Sequence, residues 1–267
     1  MKNSILGWCG LLLFWSGGIL AGDLSVDKLK IDLGAYFITN STTTLSYVSP
    51  SSVGVTVDSE HDLDWQTSLR VFRLNGLYRF NNSSSLDFSY YSFKRDGNAI
   101  LDEALTWGDD VYPINTNLLS SMNQDIYKFS YLWSFHHDEK VELGGSVGLH
   151  ITRFEINLEG SLNGNPVDSE STNVTAPLPV IGFKLNYRIS PALTWSNKVE
   201  LFHLNFGDTT GSFSDIKVAL EYRFSDTFGC GLAATASRFK VEHEDSRKML
   251  FVDDHLLGLN AYLTLYF

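Results

Sequence analysis

The sequence predicts an all-β fold, a transmembrane antiparallel up-and-down β-barrel of about ten strands that follows an N-terminal signal peptide. Three observations predict it. Apolar and polar residues alternate with a period of two in segment after segment, which gives each strand one apolar and one polar face. After the first twenty or so residues, no stretch approaches the roughly 20 apolar residues of a spanning helix. Aromatic residues also collect at one end of the apolar faces.

The N-terminus has the order of a secretory signal peptide. Lys2 precedes an apolar run over residues 5–20, and the small residues Ala21 and Gly22 follow. This order predicts a signal peptide over residues 1–21 and one mature domain over residues 22–267. A retained anchor helix is the alternative, but the run is short for a span. Cys230 is then the one cysteine of the mature chain, so the fold must form without an internal disulfide.

Ten strands are predicted from the alternation. In the last of them, Leu263, Leu265 and Phe267 share one face with the apolar residues before them, while polar residues and tyrosines alternate on the other. The predicted strands cover residues 30–47, 68–80, 85–95, 122–135, 141–158, 178–190, 193–207, 213–225, 228–243 and 251–267.

The predicted connections alternate between short periplasmic turns and longer external loops, as an up-and-down barrel requires. The turns cover residues 81–84, 136–140, 190–192 and 225–227, and the long loops cover residues 48–67, 96–121 and 159–177, with briefer loops at 208–212 and 244–249. All six prolines are predicted in loops, turns or strand starts, where a missing ladder donor does little harm.

Aromatic residues favour a membrane barrel over a soluble one, which would also alternate. At the short-turn ends, the apolar faces carry Tyr78, Phe80, Trp133, Phe135, Tyr187, Trp195, Tyr222, Phe224, Phe228 and Phe267. Such rings at one height form an interfacial girdle. The opposite, lumen face carries Asp32, Arg73, Arg79, Asp87, Lys128, Glu142, Lys184, Arg188, Lys198, Glu200, Lys217, Glu221 and Arg223. Their mixed signs predict pairing across a largely filled lumen.

The C-terminal run 259–267 carries a family resemblance. It ends on Phe267 after apolar residues at every second place, including Leu263 and Leu265, and it resembles the assembly signal of Gram-negative outer-membrane barrels. Segments 86–91, 107–113 and 175–180 are similar to those of uncharacterised outer-membrane barrel proteins of this size. The resemblance implies a cell-envelope location, contact with outer-membrane lipid and lipopolysaccharide, and handling by the barrel-assembly machinery during biogenesis.

Acidic residues dominate the long loops. They are Asp58, Glu60, Asp62, Asp64, Asp96, Asp102, Glu103, Asp109, Asp110, Glu159, Asp168 and Glu170. With a net charge of -11, the chain is not expected to bind nucleic acid. Carboxylate clusters can bind Ca²⁺ or Mg²⁺, but the sequence has no twelve-residue calcium-loop pattern, and solvated loops are the favoured interpretation.

Two pairs of residues could support hydrolysis. Asp62 and Asp64 are two positions apart, as are Asp253 and His255, so each pair would share a strand face. The layout resembles that of omptins, ten-stranded outer-membrane proteases with an acidic pair opposite an Asp and His pair at the rim. Here, however, the pairs fall in the first and last loops, and the flanking residues differ.

The hypotheses therefore stay open. The leading one is a non-enzymatic outer-membrane scaffold that displays acidic external loops as a structural or surface-interaction protein, with an extracellular ligand that the sequence leaves unknown. A narrow porin-like channel for ions or small solutes, set by the lumen charges, is the second. An omptin-like rim protease is the third, and a lipid-modifying enzyme using His203, His243 and Ser246 is weaker still. No cofactor or metal motif is found.

Overall fold

The computed structural model describes residues 27–48, 56–107, 109–206, 209–245 and 248–267, so the predicted signal peptide over residues 1–21 lies outside the described part. Ten long strands form the wall of the molecule. They are β1 (Leu29–Val48), β3 (Leu69–Asn81), β4 (Ser84–Ile100), β7 (Asn117–His137), β8 (Val141–Leu162), β9 (Asn165–Ser190), β10 (Leu193–Phe206), β11 (Thr209–Arg223), β12 (Phe228–Asp245) and β13 (Lys248–Tyr266). Short elements lie between them, namely β2 (Val57–Asp58), α1 (Ser59–Asp62), β5 (Leu105–Trp107) and β6 (Asp110–Tyr112).

The wall closes on itself. Each long strand pairs antiparallel with the next, and β1 pairs with β13 from Lys30 opposite Tyr266 up to Val48 opposite Met249. The predicted ten-stranded antiparallel barrel is therefore confirmed, and all ten predicted strands are present. Among the described residues, no helix has the length and apolar character needed to span a bilayer.

The outer face of the barrel carries a band of exposed apolar side chains. The aromatic residues predicted for the girdle are all more than a third exposed, from Tyr222 at 37% to Phe267 at 63%. In β8 the outward apolar residues run from Val141 to Ile151. Ten steps of about 3.3 Å, tilted by about 40°, give a height of about 25 Å, which is the thickness of the apolar band of outer-membrane barrels.

Above this band the polarity of the two faces inverts. In β8, Arg153 and the residues alternating with it beyond Ile151 are polar and point outward, whereas Phe154 and Ile156 point inward and are 2% exposed. The same inversion occurs in β12, where Leu232 is outward and 68% exposed but Phe239 and Val241 are buried inside. Alternation with a period of two predicts that the apolar face stays outward along the whole length of each strand. Instead, the external third of the wall surrounds an apolar core, as in a soluble barrel.

The predicted long loop over residues 159–177 is wrong. β8 continues to Leu162, β9 starts at Asn165, and only Asn163 and Gly164 connect them. Both have positive φ, 53° and 79°, as a type I′ hairpin turn requires, and an Asn-Gly pair is the preferred sequence for that turn. The two strands therefore project as one long hairpin beyond the membrane band.

Two prolines also lie elsewhere than expected. Pro177 and Pro179 are inside β9, opposite Ile151 and Leu149 of β8, and not in a loop or strand start. Pairing between β9 and β10 stops at Ile181 opposite Leu201, just before these prolines. A proline cannot donate to a ladder and is tolerated on a strand edge, so the edge of β9 that faces β10 is unpaired at these positions.

The described parts of the first two external segments, residues 56–68 and 101–116 without residue 108, fold inward and fill the external end of the barrel. The segment with β2 and α1 inserts Leu63 and Trp65, which are 1% and 3% exposed. The hairpin of β5 and β6 inserts Trp107 and Tyr112, and the Trp107 Nε1 donates to Thr172 Oγ1 of β9 at 3.3 Å. We call this set of buried apolar side chains, from the wall and the two segments, the external plug.

Candidate functional site

The predicted lumen charges occupy inward-facing positions below the external plug. Arg73, Arg79, Lys128, Glu142 and Glu200 are all at most 7% exposed. The others on these faces are Asp32, Asp87, Lys184, Arg188, Lys198, Lys217, Glu221 and Arg223. Their alternation with the exposed apolar residues sends them inside, because a charge on the other face would meet hydrocarbon.

Ion pairs join these strands across the lumen. Arg79 Nη1 contacts Glu142 Oε1 at 3.0 Å, and Ser134 and Asn186 donate to the same carboxylate. Nearer the external plug, Lys128 pairs with Asp215, a lumen residue outside the predicted set. At these depths an unpaired charge is costly, so losing one partner of such a pair would destabilise the barrel.

Two lysines each hold two carboxylates. Lys198 Nζ lies 2.9 Å from Glu200 and 3.2 Å from Asp87. Lys30 Nζ lies 2.6 Å from Glu221 and 3.6 Å from Asp32. Lys30 was absent from the predicted lumen set, although it shares the parity of Asp32 on β1 and could have been found from that spacing.

A cavity of about 90 Å³ remains between these groups. Eleven charged side chains line it, namely Lys30, Asp32, Arg73, Asp87, Lys128, Lys184, Lys198, Glu200, Asp215, Lys217 and Glu221. The external plug lies on one side of it. Lys30 and Glu221, with side chains 21% and 13% exposed, lie towards the periplasmic end.

A buried polar cluster fastens the first external segment to the wall. Arg95 is fully buried, donates to Thr43 Oγ1 at 2.7 Å and to the Gln66 carbonyl at 3.0 Å, and pairs with Glu60. The Glu60 carboxylate also accepts from the Thr43 backbone N–H. The prediction of Glu60 as a solvated loop acid is wrong, since no local sequence pattern reveals its contact with a residue 35 positions away. We call Arg95, Glu60, Thr43 and Gln66 the latch.

An external groove of about 300 Å³ lies where the first two external segments meet. Its floor is apolar, with Leu63, Leu101 and Leu105 at most 6% exposed. Its rim carries three acids, the exposed Asp102 and Glu103 and also Asp62, which pairs with the neighbouring rim residue His61. A groove with an apolar floor and an acidic rim suits a cationic group on an aliphatic stem.

Neighbouring carboxylates shift the pKa values of two groups at the external end of the barrel. His61 Nδ1 lies 2.8 Å from Asp62 Oδ1, and this hydrogen bond and charge raise the pKa of His61 above its usual value. Partial burial, followed by the neighbouring carboxylate of Asp168, raises the pKa of Asp110. The His61 shift, and the contribution of Asp168 to the Asp110 shift, reflect the negative charge of neighbouring carboxylates.

The two pairs of the hydrolase hypothesis lie on different elements, and Asp62 and Asp64 do not share a strand face as predicted, because Asp62 ends α1. Asp253 and His255 share the outer face of β13, where His255 Nε2 is 3.1 Å from Asp253 Oδ1. Arg238 also pairs with this carboxylate at 2.8 Å. Asp62 instead accepts from the Asp58 backbone N–H, and Asp64 follows α1 in a left-handed conformation.

The remaining sequence candidates supply no further cluster. His203 is exposed on β10, while Ser246 and the side chain of His243 are outside the described residues. Cys230 is an exposed free thiol on the outer face of β12. Within the described ranges, no group of three or more His, Cys, Asp or Glu side chains is arranged to hold a metal ion.

Comparison with known proteins gives a fold and no family. No protein-family model matches the chain, and no curated protein matches it. The outer membrane protease OmpT from Escherichia coli superposes with a TM-score of 0.55 at 11% identity, over 91% of this chain and 98% of that chain. OprG from Pseudomonas aeruginosa has a TM-score of 0.43 at 9% identity, over 91% and 98%. Ail of Yersinia pestis has a TM-score of 0.36 at 13% identity, over 88% and 99%.

The closed barrel, its exposed apolar band and its aromatic girdle together define a bacterial outer-membrane β-barrel protein in contact with membrane lipid. At this identity the likeness concerns the fold alone.

Proposed function

We propose that this chain is a surface-interaction scaffold whose external groove binds a cationic segment of a partner. One observation carries the proposal: the external plug fills the lumen beneath the groove, so a partner meets a surface groove with an apolar floor and acids on its rim. A lysine or arginine side chain could lay its stem on Leu101 and Leu105 and its charge beside Asp102 or Glu103.

The expected affinity is modest and depends on salt. Exposed ion pairs contribute about 0.2–1 kcal/mol each, and a Debye length of about 8 Å at physiological ionic strength screens them. Two such pairs therefore change the dissociation constant by about fivefold. Tight binding would require several contacts along an extended partner.

The test is binding of a fluorescent lysine-rich peptide to the folded barrel in detergent, followed by anisotropy at low and high salt. We expect Asp102→Asn with Glu103→Gln to weaken binding about fivefold. The matched control, Glu159→Gln with Asp168→Asn, removes the same charge from the hairpin of β8 and β9 and should bind as wild type. An equal loss of peptide affinity in both double variants would indicate attraction by the overall negative charge and no specific site in the groove. If wild type does not bind the peptide, the proposal is wrong.

The channel hypothesis makes a different prediction. The external plug supports a lumen that is blocked at its external end, so purified protein in planar bilayers should show no single-channel conductance. Steady conductance that changes with Lys184→Met or Glu200→Gln would instead favour a channel.

The rim-hydrolase hypothesis has one favourable contact, the 3.1 Å approach of His255 to Asp253. A hydrolase should cleave basic peptides and lose this activity in His255→Ala. Arg238 holds the same carboxylate, which supports a structural ion pair.

Biogenesis and lipopolysaccharide contact are further parts of the proposal. Leu263 and Phe267 are 64% and 63% exposed on the outer face of the last strand, where the assembly machinery could bind them. The external acids would lie beside lipopolysaccharide and its bridging cations.

A further inference from the structure

Three lysines lie side by side across neighbouring strands in the lumen. Lys198 of β10 is directly opposite Lys217 of β11 on one side and Lys184 of β9 on the other. All three line the cavity of about 90 Å³. Like charges directly opposite each other on neighbouring strands destabilise a sheet. This lysine row therefore needs negative charge from elsewhere.

The lumen carboxylates satisfy only part of that need. Lys198 has Asp87 and Glu200 within 3.2 Å. Within the described part of the chain, neither Lys184 nor Lys217 has a carboxylate inside the 4.0 Å of an ion pair; Lys217 instead lies 5.1 Å from the centre of the Tyr262 ring.

A fourth cation faces the same cavity. Arg73 is 7% exposed, its Nε donates to Asn75, and its guanidinium lies 4.8 Å from the ring centre of Tyr91. Its Nη1 is buried without a hydrogen-bond partner among the described groups. A buried charged donor without a partner is costly, and Arg73 is one of the residues that line the cavity.

We infer that Arg73 and the lysine row form a binding site for a small oxyanion, such as inorganic phosphate or a carboxylate, in the periplasmic half of the lumen. The cavity has room for one such anion or a few water molecules. The external plug closes the other side, so the anion would enter from the periplasmic end, past Lys30 and Glu221. This inference is independent of the external groove.

The acids that also line the cavity do not exclude an anion. Asp215 is held by Lys128, Glu221 by Lys30, and Asp87 by Lys198. The lining carries six cations and five carboxylates. Glu142 and Asp87 attract Lys184, and Asp32 and Glu221 attract Lys217, but none of these carboxylates lies within the 4.0 Å of an ion pair. Donors of Lys184, Lys217 and Arg73 can therefore form charge-assisted hydrogen bonds, which are the strong ones, with a bound anion.

The experiment uses the folded barrel in detergent, first exchanged into buffer with a large, weakly coordinating anion. Titration calorimetry with inorganic phosphate, acetate and chloride measures binding, and thermal unfolding with and without phosphate gives a second readout, because a ligand of the native state raises Tm. We expect saturable binding of phosphate or acetate, weaker binding of chloride, and an upward shift of Tm.

The variants separate the lumen site from general attraction of anions. Lys217→Met should weaken oxyanion binding about tenfold, the loss of one charge-assisted hydrogen bond. Without phosphate its Tm should stay close to that of wild type, because the fall in like-charge repulsion offsets the lost attraction to Asp32, Glu221 and the Tyr262 ring. Lys140→Met, which removes an exposed lysine from the turn between β7 and β8, is the matched control and should bind as wild type.

Lys184→Met is the second lumen variant, and migration before and after boiling checks that each barrel is folded. The inference is overturned if wild type shows neither saturable oxyanion binding nor a phosphate-dependent Tm. It is also overturned if folded Lys217→Met and Lys184→Met bind as tightly as wild type.

Discussion

Removal of Arg95 should release the first external segment from the barrel. Arg95→Met keeps a side chain of similar length over Trp65 but leaves the Glu60 carboxylate without its cation. Breaking a buried ion pair from one side costs about 3–5 kcal/mol. The Glu60 side chain is 13% exposed and can regain some water, so we take the lower end, about 3 kcal/mol.

This magnitude sets the expected result. About 3 kcal/mol raises the population of the undocked segment by about 100-fold, since each 1.4 kcal/mol is about tenfold. Trp65 is 3% exposed when the segment is docked, so chymotrypsin can cleave beside it only after release. If opening is fast relative to cleavage, the rate of cleavage at Trp65 rises by the same factor. The barrel should still migrate as a folded species before boiling.

Two further variants test the reasoning. Lys94→Met removes the neighbouring cation, whose ion pair with Asp96 is more than half exposed, and should leave the cleavage rate almost unchanged. Adding Glu60→Gln to Arg95→Met removes the unpaired negative charge of Glu60. The first external segment should then dock more often than in Arg95→Met, and cleavage at Trp65 should be slower. The latch has no such role if Arg95→Met is cleaved at the wild-type rate, or if Lys94→Met is cleaved as fast as Arg95→Met.

Three more perturbations have defined outcomes. Gly34→Leu would place a Cβ 2.3 Å from the Ala261 carbonyl oxygen at the closing seam of β1 and β13, so overpacking should destabilise the barrel by about 1–3 kcal/mol; an unchanged Tm would contradict this. Pro179→Val restores a backbone N–H on the unpaired edge of β9. If a carbonyl of β10 accepts this hydrogen bond, we expect slower hydrogen exchange at residue 179 and an increase of about 1 kcal/mol in the free energy of unfolding. Backbone N–H groups lower the pKa of Asp138. The ionised carboxylate should therefore stabilise the folded barrel fully above the ordinary carboxyl range, and this stabilisation should be lost as pH falls through the lowered pKa. A Tm difference between Asp138→Ala and wild type that persists in strong acid would refute this.

The ten strands could be predicted because side-chain alternation reports the two faces of a strand directly. The same signal also contains the inversion at the top of the band, which the prediction missed. In β8, Ile151 continues the outward apolar series, and two polar residues later Phe154 starts an inward one. A switch of the apolar residues from the outer to the inner face within one strand marks the point where the strand leaves the hydrocarbon layer. This switch is easily missed when the apolar residues are assumed to keep the same face along the whole strand.

The candidate sites were less accessible to sequence analysis. The lysine row depends on register across three strands, and a bulge between Leu193 and Thr194 shifts that register at the turn. A shift of one residue would send Lys198 to the outer face. The latch depends on Glu60 meeting Arg95 through a segment that folds back into the lumen, a contact made by tertiary packing alone.

The inverted upper wall has a consequence for the vertical position of the barrel. Arg153 and Arg238 stand on the outer face directly above the apolar band, and the aromatic girdle marks its lower edge. Sinking the barrel would carry both guanidinium groups into hydrocarbon, at a cost that grows to about 2–4 kcal/mol each at the midplane. Raising it would expose apolar rings to water. The protein therefore holds its depth, and a bilayer of another thickness must deform around it, at fractions of a kcal/mol per ångström of mismatch.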